Sequence, residues 1–143
     1  MIETTINQHN LTTAAAVQIG ATAMAHATSL GIHISICIVD ASGIPLVSLR
    51  MNQSPLLSIG IAEKKAYTAV SFGKPTQSWQ STLMNKEKIL FALQNEPNFT
   101  YLGGGLPIRL ETITVGAIGV SGGSEAQDID CAQVAIDALI NNH

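Results

Sequence analysis

The chain has 143 residues, 46% of them apolar and 12% charged, with a net charge of -3 at neutral pH. That length suits a single domain over residues 1–143 built on one core, and a charged fraction about half the ordinary share leaves little polar material to cover a monomer, so a homo-oligomer is expected. Seven scattered Lys and Arg lack the footprint of a nucleic-acid binder; no run reaches the roughly 20 apolar residues of a membrane span, and Met1–Asn10 lacks the pattern of an export signal, so a cytoplasmic location is expected.

Residues 13–30 are predicted as a helix: Thr12 or Thr13 offers an N-cap, alanines dominate, and Gly31 stands where a left-handed C-terminal residue belongs. Helical geometry puts Val17, Ala21 and Met24 on one line and Ile19, Ala23 and Leu30 roughly opposite. Both sides then need cover, the sheet on one and a second subunit on the other. His33–Asp40 alternates with period two, Ile34, Ile36 and Ile38 against Ser35, Cys37 and Val39, as a central strand would. Asp40–Gly43 turns the chain and Leu46–Met51 returns, forming a hairpin. Ser54 and Pro55 open a second helix that runs to Phe72, is closed by Gly73 and Pro75, and turns Ile59, Ala62, Ala66 and Ala69 inward.

Thr76–Leu83 reads as a shorter helix carrying Trp79, and Ile89–Leu93 is an apolar segment too short to classify. After the turn cluster 95–98, strands are predicted at Phe99–Leu102, Gly105–Leu110 and Thr112–Ser121. Ser124 and Gln127 form a capping box for a last helix with inner residues Ile129, Ala132, Ile136 and Leu139. Five strand segments with helices gathered around them define an α+β fold with an antiparallel sheet.

Seven of the twelve glycines fall between residues 101 and 124, mostly in or beside apolar strand-like runs, where glycine normally weakens a strand. Their use there is close approach of a ligand or of another backbone. Gly119–Gly123 satisfies the G-x-S-x-G pattern of a hydrolase, but the only later histidine is the terminal His143, so Ser121 reads as structural. Carboxylates at Glu125, Asp128 and Asp130 favour the dipole of the last helix and repel a phosphate. Gly103-Gly104-Gly105 lacks the third glycine and the following helix of a dinucleotide motif.

Cys37 and Cys131 form no metal-spaced pair and read as reduced thiols. None of His9, His26, His33 and His143 has the spacing of a zinc helix. His26, at the edge of the apolar arc of the first helix, suits either a haem axial ligand or a half-buried interface histidine. His33 reads as exposed, and His9 precedes the first helix where it can swing over a neighbouring pocket. Lys65, beside the inner Ala66 and near Thr68, reads either as a cleft-lining amine or as a surface lysine with its stem along apolar surface.

Taken together, Gly31–Gly43, Lys65–Ala69, Lys74-Pro75-Thr76, Gly103–Ile108 and Val115–Gly123 resemble the GlcG/HbpS-like family, which includes the C-terminal domain of PduO-type proteins. The resemblance covers about residues 11–141 and implies a profilin-like, five-stranded antiparallel sheet flanked by helices, assembled as dimers or larger oligomers. It also implies a small-ligand-binding accessory role with haem or a corrinoid-related ligand, in glycolate or B12-dependent diol or glycerol metabolism. The residues singled out are His26 as metal ligand, and Lys65, Thr68, Gly103, Gly104, Gly105 and Pro107 around a pocket between the second helix and the glycine loop. An enzyme acting on a small carboxylate or aldehyde through Lys65, and a ligand-free structural partner of a metabolic complex, are the alternatives. The segment 83–98 contains no glycine, unlike many relatives, and the absent export signal separates the chain from secreted haem-sensing members.

Overall fold

The structure, a computed structural model, describes residues 1–142. His143, the late histidine of the hydrolase pattern, lies outside the described residues. Four strands, β1 (Ser35–Asp40), β2 (Pro45–Arg50), β3 (Gly105–Leu110) and β4 (Ile113–Ser121), form one antiparallel sheet in the order β2-β1-β4-β3. Helices α1 (Thr13–Leu30) and α5 (Glu125–Asn141) cover one face, and α2 (Leu56–Phe72) covers the other. A 3-10 turn (Thr76–Ser78), α3 (Trp79–Leu83) and α4 (Glu87–Gln94) lead from α2 to β3. No described helix is long and apolar enough to cross a membrane.

The alternation along residues 34–39 appears as predicted. Ile34, Ile36 and Ile38 enter the larger core with α1 and α5, while Cys37 and Val39 enter the smaller one under α2. Both faces of this central strand are therefore dry, which is why it carries almost no polar residue. The α2 side is built from Ala62, Ala66, Ala69 and Ala117, so the helix lies unusually close to the sheet. Gly119 takes that closeness to its limit: a Cβ there would collide with the Ala62 carbonyl and the Ala66 amide nitrogen.

Among the described residues the sheet has four strands, not five. Residues 99–102 were expected to form a strand, but side-chain hydroxyls satisfy this backbone in place of a ladder. Thr68 Oγ1 donates to the Asn98 carbonyl and accepts from the Thr100 amide, both at 3.0 Å. Thr100 Oγ1 accepts from the Leu102 amide at 3.2 Å, and Thr76 Oγ1 donates to the Leu102 carbonyl at 2.7 Å. Held through these bonds to α2 and the 3-10 turn, the segment joins no ladder, and β3 is an edge of the sheet. Pro107 sits on that edge strand, where a missing amide hydrogen costs no ladder bond.

Two local expectations also change. Ser54 does not cap α2; its hydroxyl lies 3.1 Å from that of Ser35, in a buried cluster that also holds Ser58. Leu30, placed by the helical wheel on the line of Ile19 and Ala23, is exposed at the end of α1. The Ser124–Gln127 capping box of α5 forms in full. Ile19 and Ala23 form the buried line of α1, while Val17, Ala21 and Met24 on the opposite line face outward.

Cys37 and Cys131 are free thiols buried in different cores. Burial, aided by nearby Glu63 for Cys37 and Asp130 for Cys131, raises each from 9.0 to about 11. The folded thiols thus keep their protons where unfolded ones lose them, so the native state binds more protons and stability must fall as pH rises from 9.0 to about 11. The loss is at most about 2–3 kcal/mol per thiol. Urea denaturation across this range checks it: the Cys37→Ala/Cys131→Ala protein should show a shallower decline, and equal slopes would acquit the thiols.

Candidate functional site

Lys65 is fully buried, with 2% of its surface exposed, on the sheet-facing side of α2. Its Nζ donates to the Val120 carbonyl at 2.7 Å and to Asp128 Oδ2 at 3.0 Å. Asp128, one turn into α5, is also buried, and its other oxygen accepts from the Gly123 amide at 2.9 Å. The pair ties together two helices packed on opposite faces of the sheet. Burial pulls the Lys65 ammonium below its ordinary range and pushes the Asp128 carboxyl above its own, with each partner's charge acting against the shift.

The glycine loop makes this crossing possible. Gly104 has φ +124°, and a Cβ on it would stand 2.6 Å from the Val120 oxygen, 2.9 Å from Lys65 Nζ and 3.0 Å from the Asp128 Cβ. A side chain there would fill the space that the lysine uses. At Gly105 a Cβ would run into the Lys65 carbonyl and the Thr76 methyl. The Gly105 amide donates to Thr76 Oγ1 at 2.9 Å, and the Gly103 amide donates to Glu125 Oε1 at 2.6 Å. Beside Gly103 a cleft of about 170 Å³ stays open, lined by Lys65, Leu102, Ser121, Glu125 and Asp128 among others.

Of the residues singled out from sequence, the structure brings Lys65, Gly103, Gly104 and Gly105 together. Thr68 is buried against 98–100, next to a cleft of about 340 Å³ walled by Tyr67, Phe72 and Phe99. Pro107 lies within β3, paired with Ala117. His26 stands apart: its Nε2 meets Asp130 Oδ2 at 2.7 Å across the α1–α5 seam. Asp130 is two residues beyond Asp128, hence about 200° away around α5, so His26 and Lys65 do not share a site. His33 is exposed, and Ser121 is buried at the end of β4, opposite Ser35, rather than raised on an exposed turn.

Asp128, Glu125 and Thr76 were not anticipated as partners of the loop. For Asp128 the signal was present: it shares the inner face of α5 with Cys131, Ala132 and Ala135, an odd place for a carboxylate in so weakly charged a chain. Two larger grooves open on the surface. One, of about 580 Å³, is lined by His9, Arg109, Leu110, Ile113, Val115 and Ile140 among others; the second, of about 540 Å³, lies between α1 and the end of β2.

An antiparallel sheet clasped between two helices and one, with a lysine passed through a glycine window, defines a small α+β fold with clefts open to the surface. The chain belongs to the HbpS-like family, described as haem degrading protein HbpS-like, which it matches over residues 11–137. It is 35% identical over 124 residues to the corrinoid adenosyltransferase PduO of Salmonella typhimurium, covering 85% of this chain and 37% of that protein. The chain thus spans little more than a third of that relative. The crystal structure of Klebsiella pneumoniae protein ORFY superposes with a TM-score of 0.91 at 30% identity, over 97% of each chain. That of the PduOC:haem complex does so with a TM-score of 0.81 at 33% identity, over 92% of this chain and 96% of the other.

Proposed function

We propose that this protein is a cytoplasmic, homo-oligomeric accessory protein that binds a haem or a corrinoid-related tetrapyrrole and serves B12-dependent diol or glycerol metabolism or glycolate oxidation. The observation that carries the reading is the match along nearly the whole chain to a relative solved with haem. The loop cleft of about 170 Å³ is below the roughly 300–1,000 Å³ of ordinary ligand pockets, so the tetrapyrrole belongs on the surface. The groove at His9 has the volume, apolar walls in Leu110, Ile113, Val115 and Ile140, an imidazole for iron, and Arg109 for a propionate. His26 has the other qualification, a carboxylate on one ring nitrogen that leaves the second free to bind metal.

Haem titrated into the protein should give a saturable Soret shift, weakened at least tenfold by His26→Ala or His9→Ala, whichever residue supplies the iron bond. A flat titration would remove the haem reading.

A second reading rests on Lys65, a buried amine with its proton affinity lowered, on the wall of the small loop cleft. It makes the protein an enzyme acting on a small carboxylate or aldehyde. Borohydride added with a short aldehyde should then leave a reduced adduct on Lys65 by mass spectrometry, and an unmodified lysine would dismiss this reading.

A further inference from the structure

The chain begins with an arm that touches almost nothing. All residues from Met1 to Asn10 are exposed, Ile2 at 86% and Ile6 at 82%. The arm is tied to its own body only near its root, where Asn10 Oδ1 accepts from the Ala41 amide at 2.8 Å, Gln8 Nε2 donates to Ser42 Oγ at 3.4 Å, and the Leu11 amide donates to the Val115 carbonyl at 3.0 Å. Two isoleucines left largely in water on an anchored strap are unfavourable, because apolar surface gains by leaving water. The superposition on ORFY covers 97% of this chain, so it takes in part of this arm.

A second surface on the same molecule lacks a cover. Helix α1 contains no Asp, Glu, Lys or Arg, and Val17, Ala21 and Met24 form an exposed apolar stripe along it. The stripe runs into the groove of about 540 Å³ formed with Ala25, Thr28, His33, Arg50 and Met51, whose lining includes no carboxylate. Arm and stripe match in chemistry and length. In an extended strand Ile2, Thr4 and Ile6 share one face, with the isoleucines about 13 Å apart, while Val17 to Met24 spans about 10 Å of helix. The arm's one charged side chain is Glu3, and the groove offers Arg50.

We infer that the arm of one copy lies along the α1 stripe of a second copy, with Ile2 and Ile6 over Val17, Ala21 and Met24. The arm is rooted one residue before the N-cap of α1, so a two-fold arrangement with the two α1 helices antiparallel sends each arm along its partner's helix. An extended arm from Met1 to Asn10 spans roughly 33 Å, against about 27 Å for α1, which gives it the reach. The contact is reciprocal and closes on itself, so it makes a dimer rather than a chain of copies.

The inference rests on the homo-oligomeric part of the proposed function, and the test separates the two. Protein carrying only Ile6→Cys is mixed with protein carrying only Met24→Cys, each distinguished by isotope label, and oxidised; the native Cys37 and Cys131 are buried in the cores. A reducible disulfide joining Cys at position 6 of one label to Cys at position 24 of the other is the expected product. In sedimentation, Ile2→Asp/Ile6→Asp should weaken the dimer at least tenfold while leaving the far-ultraviolet dichroism and Tm of the subunit unchanged. A wild-type monomer would remove the oligomer and the arm exchange together. An oligomer indifferent to the aspartates, or an oligomer in which no disulfide joins the two labels, would overturn the arm exchange alone.

Discussion

Replacing Lys65 by methionine should cost about 3–5 kcal/mol at neutral pH, because Asp128 would be left buried, charged and without its cation. For a domain of this size the loss corresponds to a fall in Tm of roughly 10 °C or more. The deficit should shrink in acid. Burial already raises the Asp128 carboxyl, and removing Lys65 takes away the largest influence that lowers it. A carboxyl with a raised folded pKa contributes most below its ordinary value of 3.8 and loses that contribution as pH rises through the folded value. Thermal unfolding of Lys65→Met between pH 4 and 8 measures both effects, and a pH-independent deficit would show that the pair is not what was lost. Lys65→Met/Asp128→Leu, which removes both charges, should regain much of the stability.

The second large effect is expected at Gly119. Alanine there forces its methyl into the Ala62 carbonyl and the Ala66 amide, both backbone of a helix that cannot turn aside, on a strand packed on both faces. Overpacking of this kind should cost about 3 kcal/mol or more. Gly60, in the same helix α2, has nothing within 4 Å of its missing Cβ. Alanine at 60 should therefore stabilise by about 0.5–1 kcal/mol through helix propensity alone. Denaturant midpoints of the two variants should move in opposite directions; a Gly119→Ala protein as stable as the wild type would mean that α2 is free to retreat from the sheet.

Most of the fold was legible wherever a residue's role follows from its neighbours in sequence. The alternation at Ile34, Ile36 and Ile38, the Gly31 and Gly73 helix ends and the Ser124–Gln127 box are all local, and each appears in place. The missing fifth strand shows where locality fails. Residues 99–102 look like a strand because they are β-prone, but Thr68 and Thr76, distant in sequence, hold the segment to α2 and the 3-10 turn instead. The loop glycines were read as admitting either a ligand or another backbone, and at Gly104 and Gly105 what approaches is the protein's own lysine, carbonyl oxygens and threonine.

The candidate site was less legible for the same reason. Lys65 and Asp128 are 63 positions apart, and no spacing rule links them. Each could be seen separately as a charge on an inner helical face, Lys65 among Ala62, Ala66 and Ala69, and Asp128 among Cys131, Ala132 and Ala135. Helical periodicity shows that each charge is on an inward face, and only the packing of α2 and α5 on opposite faces of the sheet brings the two together. His26 was visible as an edge residue of α1, but its partner Asp130 was not, since the α1–α5 seam is a tertiary contact.

A haem titration followed by visible absorption, run side by side on the wild type, His26→Ala, His9→Ala and Lys65→Met at a temperature where all four are folded, bears most directly on a tetrapyrrole held at the surface. The expected result is saturable binding by the wild type, weakened at least tenfold by one of the histidine substitutions and unaltered by Lys65→Met. No saturable binding by the wild type, or loss confined to Lys65→Met, would contradict it.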